Sequence, residues 1–301
     1  MVRLGLCCLF HAEPIKFRTT TAKHAGTLTA EERGRKISEL CLSNVDSLQR
    51  AILFCHKNGI GAFRVNSRIL PLKTHPELGY AINELPSGDE IICGFKHCGQ
   101  TARKFDIRLS FHPDQFTLLS SPDPEITRKS IEELAYQSEV AKWLGADVIN
   151  IHGGGAYGDK AQALDRVERV ISTLDSSIRQ RLTLENDDKV YTPSDLLPLC
   201  RATGVPLVYD LHHHRCLPDS LSHQEATAAA LQSWNREPMF HLSSPKDGWQ
   251  GAQPYKHHDF IDINDFPDFW RDLDITIEIE AKAKEVAVIK LRRELMQAGA
   301  H

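Results

Sequence analysis

Short apolar runs recur along the chain, and each is followed by a longer stretch in which apolar residues return every three or four positions. The runs are Val2–Cys8, Gly61–Val65, Ile107–Phe111, Asp147–Ile151, Arg181–Leu184, Pro206–Tyr209, Met239–Leu242 and Ile275–Ile279. Short and almost without polar interruption, they have the pattern of parallel strands buried on both faces. The stretches between them read as helices with legible ends. Thr29-Ala30-Glu31-Glu32 is a capping box that opens a long helix, and Gly59 closes it. Asp123-Pro124 and Thr192-Pro193 each set a capping side chain before a proline at the first helical position. Strands alternating with helices predict a parallel sheet, and eight of them predict closure. The expected fold is therefore α/β, a single (β/α)₈ TIM barrel over residues 1–301 with a helical tail after about residue 285. An open, doubly wound sheet is the competing arrangement. No repeat, low-complexity tract or linker marks a domain boundary.

In a barrel all strand ends converge on one face, where barrel enzymes place their active sites. The third run is followed by His112, the fourth by His152, the fifth by Glu185, and the sixth by Asp210 and then His212, His213 and His214. The seventh contains His241 and the eighth is followed by Glu280. Taken singly, such a histidine is usually a hydrogen-bonded core or loop residue, and such a carboxylate a helix cap. Together they would crowd one pocket, where unneutralised carboxylates repel, so bound cations are the simplest explanation. His75, His257 and His258 are further candidates. Of the three consecutive histidines, His213, three residues beyond Asp210, is the strongest ligand candidate. Mixed imidazole and carboxylate donors suit Mn²⁺, Zn²⁺ or Fe²⁺ better than Ca²⁺ or Mg²⁺. No cysteine lies at these strand ends, so thiolate ligands are not expected. Two ions about 4 Å apart can activate a water and stabilise the leaving oxygen of a phosphodiester.

Charge modifies this picture little. With 36 Lys and Arg against 40 Asp and Glu, the net charge of −4 gives no basic signature for nucleic acid. Two or three divalent ions would add about 4 to 6 positive charges and bring the chain near neutrality. No run of about 18 apolar residues occurs, so no membrane span is expected. MVRLGLCCLFHAEP lacks the order of a signal peptide, which makes the cytoplasm the expected compartment. Eight cysteines without a CxxC pair are expected to be reduced thiols. Nothing calls for an organic cofactor, and a monomer is expected.

The segments RLSFHPDQF (Arg108–Phe116), NIHGGGAYGDK (Asn150–Lys160), LTLENDD (Leu182–Asp188), VYDLHHHRC (Val208–Cys216) and IEIEAKAKE (Ile277–Glu285) resemble the UV damage endonuclease family. The resemblance runs from Arg3 to about Glu285. It implies a barrel related to endonuclease IV and to the xylose isomerase group. It implies two or three divalent ions, commonly Mn²⁺ with Zn²⁺ or Co²⁺ as alternatives. The implied activity nicks damaged double-stranded DNA immediately 5′ to cyclobutane dimers, 6-4 photoproducts and other lesions, leaving a 3′-hydroxyl and a 5′-phosphate. The implied metal ligands are His112, His152, Glu185, Asp210, His213, His241, His257 and Glu280. Glu185, His75 and Lys160 are the catalytic candidates, with His75 near the cleaved phosphate. Gln115 and Phe116 match the two-residue probe that enters the duplex, with Phe116 in place of the usual Tyr; wedging needs only the ring face. Leu6, Phe10 and Met239 also depart from the family pattern, and Lys16, Arg18, Lys23, Lys160, Lys282 and Lys284 are candidates to take over lost roles. The basic segment Glu13–His24, with Lys16 and Arg18, is expected to contact DNA phosphates. A sugar isomerase or epimerase of the same barrel, and a lesion-binding protein without catalysis, are the rival readings.

Overall fold

The computed structural model describes residues 2–298. Eight parallel strands follow one another round a closed barrel: β1 (Arg3–Cys7), β2 (Ala62–Val65), β3 (Arg108–Phe111), β4 (Val148–His152), β5 (Leu182–Glu185), β6 (Leu207–Asp210), β7 (Met239–Leu242) and β8 (Thr276–Ile279). The predicted runs therefore lie within a residue or so of the observed strands, and the open-sheet alternative falls because β8 pairs with β1 from Arg3↔Thr276 to Leu6↔Ile279. The helices are α1 (Ala22–Ala25), α2 (Ala30–Asn58), α3 (Gly88–Lys104), α4 (Pro124–Leu144), α5 (Lys160–Thr173), α6 (Ser176–Arg179), α7 (Pro193–Thr203), α8 (Leu211–Cys216), α9 (His223–Gln232) and α10 (Glu285–Ala298).

The ends read from the sequence are formed as expected. Thr29 and Glu32 close a reciprocal capping box at the start of α2, and Gly59 ends that helix at φ 68°, a left-handed conformation that glycine adopts without steric cost. Asp123 and Thr192 cap α4 and α7 ahead of their prolines. Helices α3 and α4 approach closely at Gly99, where a Cβ would run into the Leu144 carbonyl. Among the described residues all eight cysteines are free, as expected for a chain that buries a core this large.

The barrel interior is layered, and the layers explain the strand sequences. At the bottom Val148, Val208 and Met239 form a small apolar plug. Because side chains alternate along a strand, the residue two positions before each strand-end ligand candidate points the same way. Ser110, Asn150, Thr183 and Glu278 stand in this relation to His112, His152, Glu185 and Glu280, and all four are buried. Arg64 of β2 joins them as a buried cation. Outward-facing strand residues pack in the main core, for example Tyr209 of β6 and Phe240 of β7 against Trp270. The N-terminal face is closed by ion pairs, including Arg108 to Asp147 at 2.8 Å and Arg3 to Glu237 at 2.9 Å.

Candidate metal centre

Strand register sets the site. In the β4–β5 ladder His152 lies opposite Glu185, and in the β6–β7 ladder Asp210 lies opposite His241. Four candidate ligands are thus neighbours across hydrogen-bonded strands. His112 joins from the end of β3, its Nε2 3.0 Å from a Glu185 oxygen. His213 comes from α8, whose first turn is fixed by Asp210: its Oδ1 accepts from the His213 backbone N–H at 2.8 Å. The donor atoms fall into three overlapping groups, each compact enough to hold a cation: His112, His152 and Glu185; Glu185, Asp210 and His213; Asp210, His241 and Glu280. Consecutive groups share a carboxylate, first Glu185 and then Asp210.

The imidazoles are oriented by what their two nitrogens touch. His112 Nδ1 faces the Pro113 carbonyl at 3.0 Å with Nε2 toward Glu185, whereas His213 Nδ1 lies 2.9 Å from the Asn186 carbonyl and also 3.4 and 3.5 Å from the Glu185 and Asp210 carboxylates. By donating its Nδ1–H to a carbonyl, His112 presents the Nε2 lone pair to the site, the arrangement that supports a metal-bound histidine. His241 runs the other way. Its Nδ1 lies 2.9 Å from Glu185 Oε1, and its Nε2 lies 3.1 Å from Glu278 Oε2 and 2.9 Å from the Arg64 guanidinium.

Electrostatics say the same. Burial opposes ionisation of Glu185, yet the His241 and His152 imidazoles and hydrogen bonds from His112 and His241 hold its carboxyl well below the usual carboxylate range. Burial likewise opposes ionisation of Glu280, which Arg64 and His241 hold well below that range. Against burial, Asp210 and Glu185 push His213 up to about 9, and Glu185 is the chief group pushing His241 up to about 10. The carboxylates thus demand positive charge, which protons on the histidines meet and a cation would take over. Burial keeps the His152 imidazole below its ordinary value. Its Nδ1 and Asp210 Oδ2 are buried without a hydrogen-bond partner. Buried polar atoms are rarely left orphaned, and two of them in one cluster of imidazoles and carboxylates fit a site shaped for a divalent ion.

Several participants went unread in the sequence. Arg64 lies 2.7 Å from Glu280 and 2.5 Å from Glu278. Ser110 donates to Glu278. Thr183 donates to Asn150 at 2.9 Å, and Asn150 donates to Glu185 at 2.5 Å. The signal was the alternation inside RLSFH, VINIH, LTLE and IEIE. Glu285, read only as the end of a motif, is buried and accepts from the backbone N–H groups of His11, Ala12 and Glu13 at 2.6 to 3.0 Å. That clamps the start of the first βα loop.

The other candidates lie around the mouth of the barrel. His257 is 3.7 Å from Glu280 and outside the three groups. His258 accepts from the Phe260 N–H, and His214 is held by Tyr209 and Asp219. His212 is buried, its Nδ1 3.3 Å from the Ser243 carbonyl. His75 accepts from the N–H groups of Glu77 and Leu78 and lines a cavity of about 990 Å³ that Phe116 also borders. Gln115 is exposed and Phe116 is 73% exposed. Lys16 and Arg18 are exposed on a loop whose backbone is bonded to Ser47 and Asn44 of α2. Lys160 begins α5 and is paired with Asp195 at 2.8 Å, away from the three groups. Leu6 is buried in the core, Phe10 packs on Phe54 and Phe63, and Met239 belongs to the basal plug. β1 ends in Cys7, which with Cys8 lines a cavity beside Glu280.

The family model for UV-endonuclease UvdE matches residues 2–300. The chain belongs to the UV-endonuclease UvdE family. It is 37% identical over 300 residues to the UV DNA damage endonuclease of Bacillus velezensis, covering 96% of this chain and 91% of that protein. The UV DNA damage endonuclease of a Nostoc species is 33% identical over 300 residues, with 96% and 89% covered. Among solved structures, SacUVDE superposes with a TM-score of 0.88 at 28% identity, covering 99% of both chains. Endonuclease IV from Thermus thermophilus has a TM-score of 0.62 at 15% identity over 98% of both chains, a likeness of fold. Membership of the UvdE family makes this chain a DNA repair nuclease, and its His and carboxylate cluster supports the use of divalent metal. Among the described residues no helix is long and apolar enough to cross a membrane.

Proposed function

We propose that this chain recognises UV lesions in duplex DNA, cyclobutane dimers and 6-4 photoproducts among them, and hydrolyses the phosphodiester immediately 5′ to the damage with two or three divalent ions, Mn²⁺ foremost. The observation that carries this reading is the run of three donor groups joined through Glu185 and Asp210. An isomerase needs one such group, whereas a phosphodiester carries charge on both its attacking and leaving oxygens and gains from neighbouring cations. His112, His152, Glu185, Asp210, His213, His241 and Glu280 would hold the ions, with His257 at the edge. When bound, they would supply a water activated at neutral pH and charge stabilisation for the leaving oxygen.

The chain's own residues do the rest. Phe116 and Gln115 wedge into the duplex where a lesion has weakened stacking, which lowers the cost of displacing the damaged bases. Lys16 and Arg18, on a loop clamped by Glu285 and Asn44, hold backbone phosphates and fix register. His75 acts near the cleaved phosphate. Lys160 serves by holding Asp195 and the α5 start, so its effect on catalysis is indirect.

The test is a labelled duplex carrying one cyclobutane dimer, incubated with Mn²⁺ and then with a chelator. The expected result is a metal-dependent cut directly 5′ to the dimer, absent on undamaged DNA and lost in Glu185→Gln with the fold intact. Tight binding without a cut would instead favour a lesion-binding protein, and full nicking by Glu185→Gln would remove that residue from the mechanism.

A further inference from the structure

Beside the metal centre, on the side of β8 and β1, lies a cavity of about 560 Å³. Its wall carries Arg64, Lys246, Lys256, Lys282 and Lys284, and Glu280 is its one carboxylate among the described residues. Arg64 pairs with that carboxylate at 2.7 Å as well as with Glu278 at 2.5 Å. None of the four lysines makes an ion pair or a side-chain hydrogen bond among the described residues. Lys246, Lys256 and Lys282 are exposed and Lys284 is half-buried.

The loop after β7 brings two of them together. Pro245 and His257 form an antiparallel bridge, and the Lys246 N–H donates to the Lys256 carbonyl at 2.6 Å. Lys246 and Lys256 therefore stand opposite each other on the two loop segments that the bridge joins. Like charges placed so are destabilising, and the sequence keeps the pair without an acidic partner. The Lys282 N–H bonds to the His258 carbonyl at 3.1 Å, which ties the loop after β8 to the same wall. A concave surface with four free ammonium groups, sharing Glu280 with the metal centre and bordered by His257, is complementary to an oxyanion.

We infer that this cavity holds backbone phosphates of the DNA next to the bond that is cut, with Lys246 and Lys256 as positioning residues. The inference rests on the endonuclease reading above and adds a second wall to it. Phe116 and the cavity of about 990 Å³ lie at the loops after β2 and β3, and the lysine wall lies at those after β7 and β8. The duplex is gripped from both sides of the metal centre, the lesion by the aromatic side and the intact backbone by the lysines.

The experiment compares wild type with the double variant Lys246→Ala, Lys256→Ala, using Lys57→Ala, Lys96→Ala on the outer helices as a control of equal charge change. The probe is a dimer-containing duplex in which single phosphates are replaced, one position at a time, by neutral methylphosphonates. Free inorganic phosphate is added as a competitor. The salt slope of log Kd should become shallower by about 1 to 2 in the first variant, since each neutralised phosphate contributes about 0.9. Kd at 0.15 M salt should rise on the order of ten-fold, and the single-turnover rate at saturating duplex should stay within about two-fold. One or two methylphosphonate positions should weaken wild type and leave the variant indifferent. Millimolar inorganic phosphate should not displace the duplex, which identifies a diester site. Slopes equal to the control's, an unchanged methylphosphonate profile, or displacement by inorganic phosphate alone would overturn the assignment. A wild type that neither binds nor nicks the dimer duplex overturns the endonuclease reading, and this inference with it.

Discussion

Glu278 offers the sharpest test of the polar layer under the metal centre. Burial opposes its ionisation, yet Arg64, together with hydrogen bonds from His241 and Ser110, holds its carboxyl at about 2 instead of 4.5. A carboxyl so depressed stabilises the folded state by about 3 kcal/mol at pH 7, where it is ionised in both states. Glu278→Gln keeps the shape and an acceptor for Arg64 and Ser110 but removes the charge, so metal-free protein should lose about 3 kcal/mol. Breaking a buried ion pair by removing one partner costs a similar amount, about 3–5 kcal/mol. The sign fixes the pH dependence. Because the folded pKa lies below the unfolded one, the contribution is complete above about 4.5 and fades as pH falls toward 2. Urea unfolding of chelator-treated wild type and variant should therefore differ by about 3 kcal/mol at pH 7 and by less than half of that at pH 3. Loss of the carboxylate behind His241 Nε2 should also weaken Mn²⁺ binding by about 10- to 100-fold in calorimetry. A difference below about 1 kcal/mol at pH 7, or one that does not shrink at pH 3, would refute the account of Arg64 and Glu278 as a buried charged pair.

Glu285→Ala leaves the N–H groups of His11, Ala12 and Glu13 to water and should cost about 2 kcal/mol, with faster hydrogen exchange confined to the first βα loop; uniform exchange across the barrel would contradict it. Phe116→Ala should lower affinity for a dimer duplex by about 10- to 100-fold through lost stacking while changing stability by under about 0.5 kcal/mol, and Phe116→Tyr should retain wild-type affinity. Gly99→Ala drives a Cβ into the Leu144 carbonyl and should destabilise by about 3 kcal/mol, read as a lower thermal midpoint, whereas Gly248→Ala, with open space around it but a left-handed φ of 75°, should cost about 1 kcal/mol.

The barrel was legible because each strand is a compact apolar run bounded by caps and turns, and the ligands because a His or carboxylate breaks that run at its end. Arg64, Ser110, Asn150 and Glu278 were hidden by the same fact. A strand of a closed parallel barrel is buried on both faces, so an inward polar residue sits between outward apolar ones and reads as a blemish in the run. Glu285 was illegible for another reason: its partners are backbone groups more than 270 residues away, and no side-chain pattern announces them. Lys160 shows the limit of motif reading, since its ammonium group goes to Asp195 of α7, a contact created by the folding of the next βα unit. The lysines at 246 and 256 look like an ordinary polar loop until the bridge between Pro245 and His257 folds them face to face.

His152 opposite Glu185 and Asp210 opposite His241 mean that the pitch of the sheet sets the spacing of the donors. Neighbouring strands lie about 4.8 Å apart wherever they pair, whatever the loops above them do. The ruler that spaces the donors is thus the backbone ladder itself, the part of the molecule least able to drift. Loops after β1, β3 and β7 can lengthen, change charge or exchange an aromatic ring, and the gauge beneath them keeps its calibration. A one-residue slip in β4 or β6, by contrast, would turn His152 or Asp210 outward and erase the centre in a single step.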